Sequence, residues 1–133
     1  MANSQIVIIG HSPGKVDAAK STTLKKVKDW MESCHILSYD WYNLVDYHAP
    51  DLKLKDATLK PETVKDYSVI ISLGNLADEW CKRNNINNYK MPHPSGLNRI
   101  WNDKRRANKI IRELRKHIHC LLYTSDAADD LLC

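Results

Sequence analysis

The chain has 133 residues, 43% of them hydrophobic, with 20 Lys and Arg against 16 Asp and Glu and a formal net charge of +4. That length suits one hydrophobic core and excludes two comfortable domains. No apolar run reaches membrane-spanning length, and the start "MANSQIVIIGHS" lacks the basic opening and long apolar centre of a secretion signal, so a soluble cytoplasmic protein with no membrane partner is expected.

"QIVIIG" is a short run of β-branched residues ending in glycine, the signature of a buried strand. After the loop "GHSPGK", the segment "STTLKKVKDWMESC" spaces Leu24, Val27, Trp30, Met31 and Cys34 helically, with Ser21 to Thr23 available as caps. "ILSYDWYNLV" reads as a second strand, and "DYHAPDLKLKDATLKPET" as a polar, proline-marked connection. "YSVIISLG" is a third buried strand; "NLADEWCKRN" is a short helix with Leu76, Ala77, Trp80 and Cys81 on one face; "NNYKM" is a short fourth strand. The last helix, Asn102 to His119 by its cap and periodicity, turns Ala107, Ile110, Ile111, Leu114 and Ile118 inward. No repeat or low-complexity linker interrupts the series.

Strands alternating with helices predict a single three-layer α/β domain with a central, mainly parallel four-stranded sheet. Ligands of such sheets bind beyond the carboxyl ends of the strands. Four loops answer that description: "GHSPGK", "NLVDYHAPD", Gly74 with Asn75, and "PHPSGLNR".

The ending "CLLYTSDAADDLLC" breaks the preceding helical pattern and resembles translated sequencing-adapter read-through. Residues 1–120 are therefore taken as the domain and 121–133 as a non-native or disordered tail. Setting aside Asp126, Asp129 and Asp130 of that tail leaves 13 of the 16 acidic residues against all 20 basic ones, a balance of +7. Such an excess favours an anionic partner, a nucleotide or nucleic acid, with a merely soluble basic surface as the alternative.

The four cysteines, Cys34, Cys81, Cys120 and Cys133, are scattered with no C-x-x-C, which suggests neither a zinc site nor a disulfide framework. His117 and His119, two apart in a helix, fall on different faces, and His35 and His48 read as structural. No metal and no cofactor is expected.

"GHSPG" fits the nucleophile elbow G-x-S-x-G, but the residue after Ser12 is Pro13, which has no N–H to give an oxyanion hole. A P-loop fails too, one spacer short and with Val16 where Ser or Thr should hold magnesium. A tight turn would account for Gly10, Pro13 and Gly14 while leaving His11, Ser12 and Lys15 unexplained.

"MPHPSGLNR", taken with "IIGHSPG" and "YNLVDYHAPD", resembles the uracil-DNA glycosylase superfamily in the order of its motifs and their placement at strand ends. The resemblance spans most of residues 5 to 118. It implies that His93 hydrogen-bonds a pyrimidine carbonyl as charge develops on the base, that Ser95 binds a neighbouring phosphate, and that Leu97 wedges into the vacated stack. Asn43 matches the amide that reads the base edge. Gly10, Pro13, Gly14 and Lys15 would form the first wall of the pocket, with Asn98 and Arg99 beside the nucleotide. Lys104, Arg105 and Arg106 behind Arg99 read as a solvated helix face.

Two departures bear on hydrolysis. Ser12 and His11 stand where active relatives carry Asp, Asn or Glu to manage the attacking water, and a neutral serine is a poor general base. His11 could substitute, since imidazole titrates in the useful range. The chain also has no phenylalanine, which leaves Trp41, Tyr42 or Tyr47 to stack on a base. The reading that follows is a nucleobase- or nucleotide-binding protein with weakened or lost hydrolysis, for instance one that sequesters a nucleotide in the host cytoplasm of a virus. The alternative is an active glycosylase that flips uracil or a modified base out of DNA and hydrolyses its N-glycosidic bond.

Overall fold

Residues 5–12, 22–49, 51–94 and 99–123 are described by a computed structural model. Strand β1 (Ile6–Gly10) leads to helix α1 (Thr22–Ser33), β2 (Asp40–Asn43), 3-10 turns at Leu54–Asp56 and Pro61–Thr63, β3 (Val69–Leu73), α2 (Gly74–Arg83), β4 (Tyr89–Met91), a 3-10 turn at Arg99–Asn102 and α3 (Lys104–Tyr123). The strands form one sheet in the order β2-β1-β3-β4, with every neighbouring pair parallel. The fold is a single small α/β domain, as the alternation of strands and helices implies.

β1 and β3 are buried at every position because they lie in the middle of a sheet covered on both faces. Their side chains alternate. Ile6, Ile8, Val69, Ile71 and Leu73 join Val27, Trp30 and Met31 of α1 and Leu114 and Ile118 of α3 on one face. Val7, Ile9 and Ile70 join Ala77, Trp80 and Cys81 of α2 on the other, together with Leu44, Val64 and Ile86.

α1 and α2 stop in the same way. His35 (φ 62) and Asn85 (φ 57) adopt the left-handed conformation, while the next residues, Ile36 and Ile86, donate backbone hydrogen bonds of 2.8 Å back to Met31 and Cys81. This six-to-one closure satisfies a terminal carbonyl and tucks an isoleucine under the helix. It also shortens β2 at its start: Ile36 belongs to the helix end and Leu37 is 96% exposed, so pairing begins at Asp40. The Tyr67 hydroxyl donates to Asp40 and fastens this edge strand to the approach to β3.

α3 begins later than its periodicity suggests. Asn102 lies in the preceding turn, and Asp103 caps the helix, its Oδ1 accepting from the backbone N–H groups of Arg105 (3.0 Å) and Arg106 (3.3 Å). The helix also continues past residue 120 to Tyr123, where Leu121 and Leu122 are good helix formers. The remainder of the expected tail, from residue 124, lies outside the described residues. No helix among the described residues is long and apolar enough to cross a membrane.

A polar group is buried beneath α2. Ser72, fully buried on β3, accepts a 2.6 Å hydrogen bond from Asn88 Nδ2, which also donates to Asp78 Oδ1 at 3.0 Å; Lys82 pairs with Asp78 at 3.0 Å. Burial would raise the Asp78 carboxyl, but the donors from Asn88 and Lys82 outweigh it and hold the carboxyl below its ordinary value.

Candidate functional site

The chain leaves β1 toward α1 on one face of the sheet and leaves β3 toward α2 on the other. Between these two neighbouring strands the crossovers diverge, which opens a crevice beyond their carboxyl ends. Gly10, His11, Asn43, Gly74 and His93 all lie at this edge, at or just past the ends of β1, β2, β3 and β4.

Gly10 pairs in register with Asn43. A Cβ on Gly10 would fall 2.5 Å from Asn43 Oδ1 and 2.9 Å from Trp41 Nε1, so only glycine lets the amide lie across the end of β1. Trp41 Nε1 donates to Asn43 Oδ1 at 2.9 Å. The indole thereby fixes the amide's orientation and engages one of its acceptor sites.

Ser12 serves as a clasp between two loops. Its hydroxyl accepts from Ala49 N–H at 3.3 Å, donates to the Ala49 carbonyl at 3.4 Å and lies 3.2 Å from His11 Nδ1. With the hydroxyl proton directed to Ala49, the His11 contact requires the imidazole proton on Nδ1, which leaves the lone pair on Nε2. The serine's one donor and two acceptor positions are then all engaged within the protein.

His93 follows β4 and packs over Gly74, the first residue of α2, whose φ is +88°. A Cβ there would stand 3.4 Å from both Cβ and Cδ2 of His93 and would be strained by the backbone itself. From the other side, Trp101 Nε1 donates to the His93 carbonyl at 2.9 Å. Burial lowers the pKa of His93, and the neighbouring charge of His11 lowers it further; burial likewise lowers His11. Both imidazoles are therefore held toward their neutral forms near pH 7.

Beside His93 opens a cleft of about 370 Å³, lined by Gly74, Asn75, Lys90 and Pro92 as well as the imidazole. α2 starts here with no acidic residue in its first turn and no side-chain cap, so its leading N–H groups, Lys90 and the Asn75 amide add positive and hydrogen-bonding character. No carboxylate is among these lining residues. The lining thus offers hydrogen-bond donors and positive charge. No family model, curated protein or solved structure matches the chain.

Of the residues picked out from sequence, Gly10, His11, Ser12, Asn43 and His93 lie at this edge, and of these five His93 alone lines the cleft. Arg99 is exposed in the turn before α3 and does not line the cleft. Pro13, Gly14, Lys15, Ser95, Leu97 and Asn98 lie outside the described residues. Among the stacking candidates, Trp41 packs against the core on the α1 and α3 side, while Tyr42 and Tyr47 are exposed.

Lys90 and Trp101 escaped the sequence reading, while Asn75 was placed at this edge without a role. Lys90 had a visible signal, a lone cation in an otherwise uncharged strand. Trp101 had none, because its role is to brace a carbonyl eight residues earlier.

Proposed function

We propose that this chain binds a nucleobase or nucleotide in the cytoplasm, in a pocket of uracil-DNA-glycosylase type whose hydrolytic power is weakened or lost. The observation that carries the reading is the seating of His93 over Gly74, beside a cleft supplied with Asn75 and Lys90. A neutral imidazole donates one N–H to a base carbonyl, Asn43 presents its amide protons to a second acceptor, and Lys90 with the start of α2 suits a phosphate. The engagement of Ser12 by Ala49 and His11 supports the loss of hydrolysis, since a hydroxyl so occupied is poorly free to orient water.

One contact favours the active-glycosylase alternative: where the Ser12 hydroxyl proton points to Ala49, His11 carries its proton on Nδ1 and its lone pair on Nε2, the form of a general base. A single pair of assays separates the two. Titration with uracil and uridine monophosphate, followed by tryptophan fluorescence, is expected to show saturable binding that His93→Ala removes. Incubation with a uracil-containing oligonucleotide is expected to give no alkali-labile abasic sites. Cleavage lost in both His93→Ala and His11→Ala would establish the glycosylase instead, and absence of both binding and cleavage would overturn both readings.

A further inference from the structure

Helix α3 contains seven Lys and Arg and one acidic residue, Glu113. At 100° per residue, Arg105, Lys109, Arg112 and Lys116 fall within about 40° of the line pointing directly away from the buried Leu114 and Ile118. All four are exposed. They form a cationic stripe roughly 16 Å long at 1.5 Å per residue, flanked by Arg106 and the lone acid Glu113 on one side and by Lys104 and Arg115 on the other.

A solvated helix face ordinarily interleaves its charges, and α2 does so: Lys82 pairs with Asp78 and Arg83 with Glu79, each four residues apart at 3.0 Å. α3 does the opposite. Arg105 and Lys109, and again Arg112 and Lys116, are like charges four apart, an arrangement that weakens an isolated helix. No ion pair among the described residues neutralises any of the four.

The stripe also has a direction. α3 starts at the pocket edge, where Trp101 grips His93, and reaches the opposite edge of the sheet, where His117 stacks on Tyr89 at the start of β4 with ring centroids 4.3 Å apart. Over the length of the stripe the apolar side of α3, with Ile110, Ile111, Leu114 and Ile118, is closed against the sheet and not available to a lipid surface. The stripe offers no aromatic or aliphatic anchor of the kind that dominates protein interfaces. What fits an extended row of uncompensated cations is an equally extended row of anions. One strand of B-form DNA carries a phosphate about every 3.4 Å along its axis, so the stripe spans about five of them.

We infer that the exposed stripe of α3, Arg105, Lys109, Arg112 and Lys116, binds the sugar–phosphate backbone of a nucleic acid without regard to sequence. This surface is separate from the His93 cleft, none of whose lining residues it contributes.

The test is fluorescence anisotropy of a labelled 20-nucleotide oligonucleotide of mixed sequence, single-stranded and as a duplex, with the full chain over a series of salt concentrations. Binding by either form supports the inference, provided that the double variant Arg112→Glu, Lys116→Glu weakens it at least tenfold. Arg112→Gln with Lys116→Gln, a milder change that preserves helix propensity, is expected to flatten the dependence of log K on log salt by about 1.4 to 1.8, the share of two phosphate contacts. Lys53→Glu with Lys55→Glu makes the same charge change at exposed sites in the connection after β2 and is expected to stay within twofold of the parent. Equal loss in the stripe and control variants would overturn the inference, as would absence of oligonucleotide binding by the parent. Affinity for phosphatidylserine vesicles or polyglutamate matching that for the oligonucleotide would overturn the assignment to nucleic acid. Uridine monophosphate affinity is expected to be unchanged in the stripe variants, so this experiment and that on the pocket fail independently.

Discussion

Trp101 joins the pocket to the core through a single indole: Nε1 donates to the His93 carbonyl at 2.9 Å, and the ring lies against Trp30 with centroids 4.9 Å apart. Trp101→Phe keeps much of the ring contact and removes the donor. A net loss of about 1 kcal/mol is expected for one hydrogen bond, more if the carbonyl becomes shielded from water. Ligand affinity is expected to fall several-fold as His93 loses its brace. Thermal denaturation alongside nucleotide titration checks both; unchanged affinity would show that Trp101 does not position His93.

Gly10→Ala places a methyl 2.5 Å from Asn43 Oδ1, inside any real contact. Either the Trp41–Asn43 hydrogen bond breaks or β1 and β2 separate. Overpacking of this kind costs about 1–3 kcal/mol. A lower Tm together with a shifted tryptophan emission is the expected outcome, and a substitution that leaves both unchanged would contradict the geometry.

Asn88→Ala removes the donor shared by Ser72 and Asp78 and leaves buried polar atoms short of partners, at a cost of about 1–3 kcal/mol. It also has a pH signature. The folded carboxyl of Asp78 is depressed, so its contribution is present above the unfolded value and lost as pH falls through the folded one. Without Asn88 the folded value rises toward the unfolded one, and that contribution shrinks. Denaturant midpoints of variant and parent, measured between pH 7 and pH 3, are expected to draw closer at the acidic end.

Burial lowers His11 and His117, and burial followed by the charge of His11 lowers His93. Each imidazole then binds fewer protons folded than unfolded in the window just below its ordinary value near 6.5. Stability rises with pH across that window and is lost as pH falls through it. The Tm is expected to drop by several degrees from pH 7.5 to pH 5. Substituting His117, which is far from the pocket edge, by Gln is expected to flatten part of this slope without changing nucleotide affinity.

Helix faces and central strands were legible in the sequence because their patterns are dictated by burial: Val27, Trp30, Met31, Leu114 and Ile118 are inside, as their spacing requires. Boundaries were less so. "ILSYDWYNLV" looks extended throughout, yet Ile36 closes a helix through a left-handed histidine, a closure usually announced by glycine. The cap of α3 could have been found, since Asp103 is as good a capping residue as Asn102 and lies one step nearer the helix. The site was half legible. Strand-end placement brought His11, Asn43 and His93 together, but the clasp of Ser12 on Ala49 depends on a contact 37 residues apart that no local pattern encodes.

That clasp has a mechanical consequence. The loops after β1 and β2 are stitched by one hydroxyl to both backbone groups of Ala49, and the imidazole of His11 leans on the same oxygen. A displacement of either loop is handed to the other and to His11 at once. His11, Ser12 and Ala49 are therefore expected to shift as one piece at the ends of β1 and β2, so that a push on either loop is felt at the imidazole.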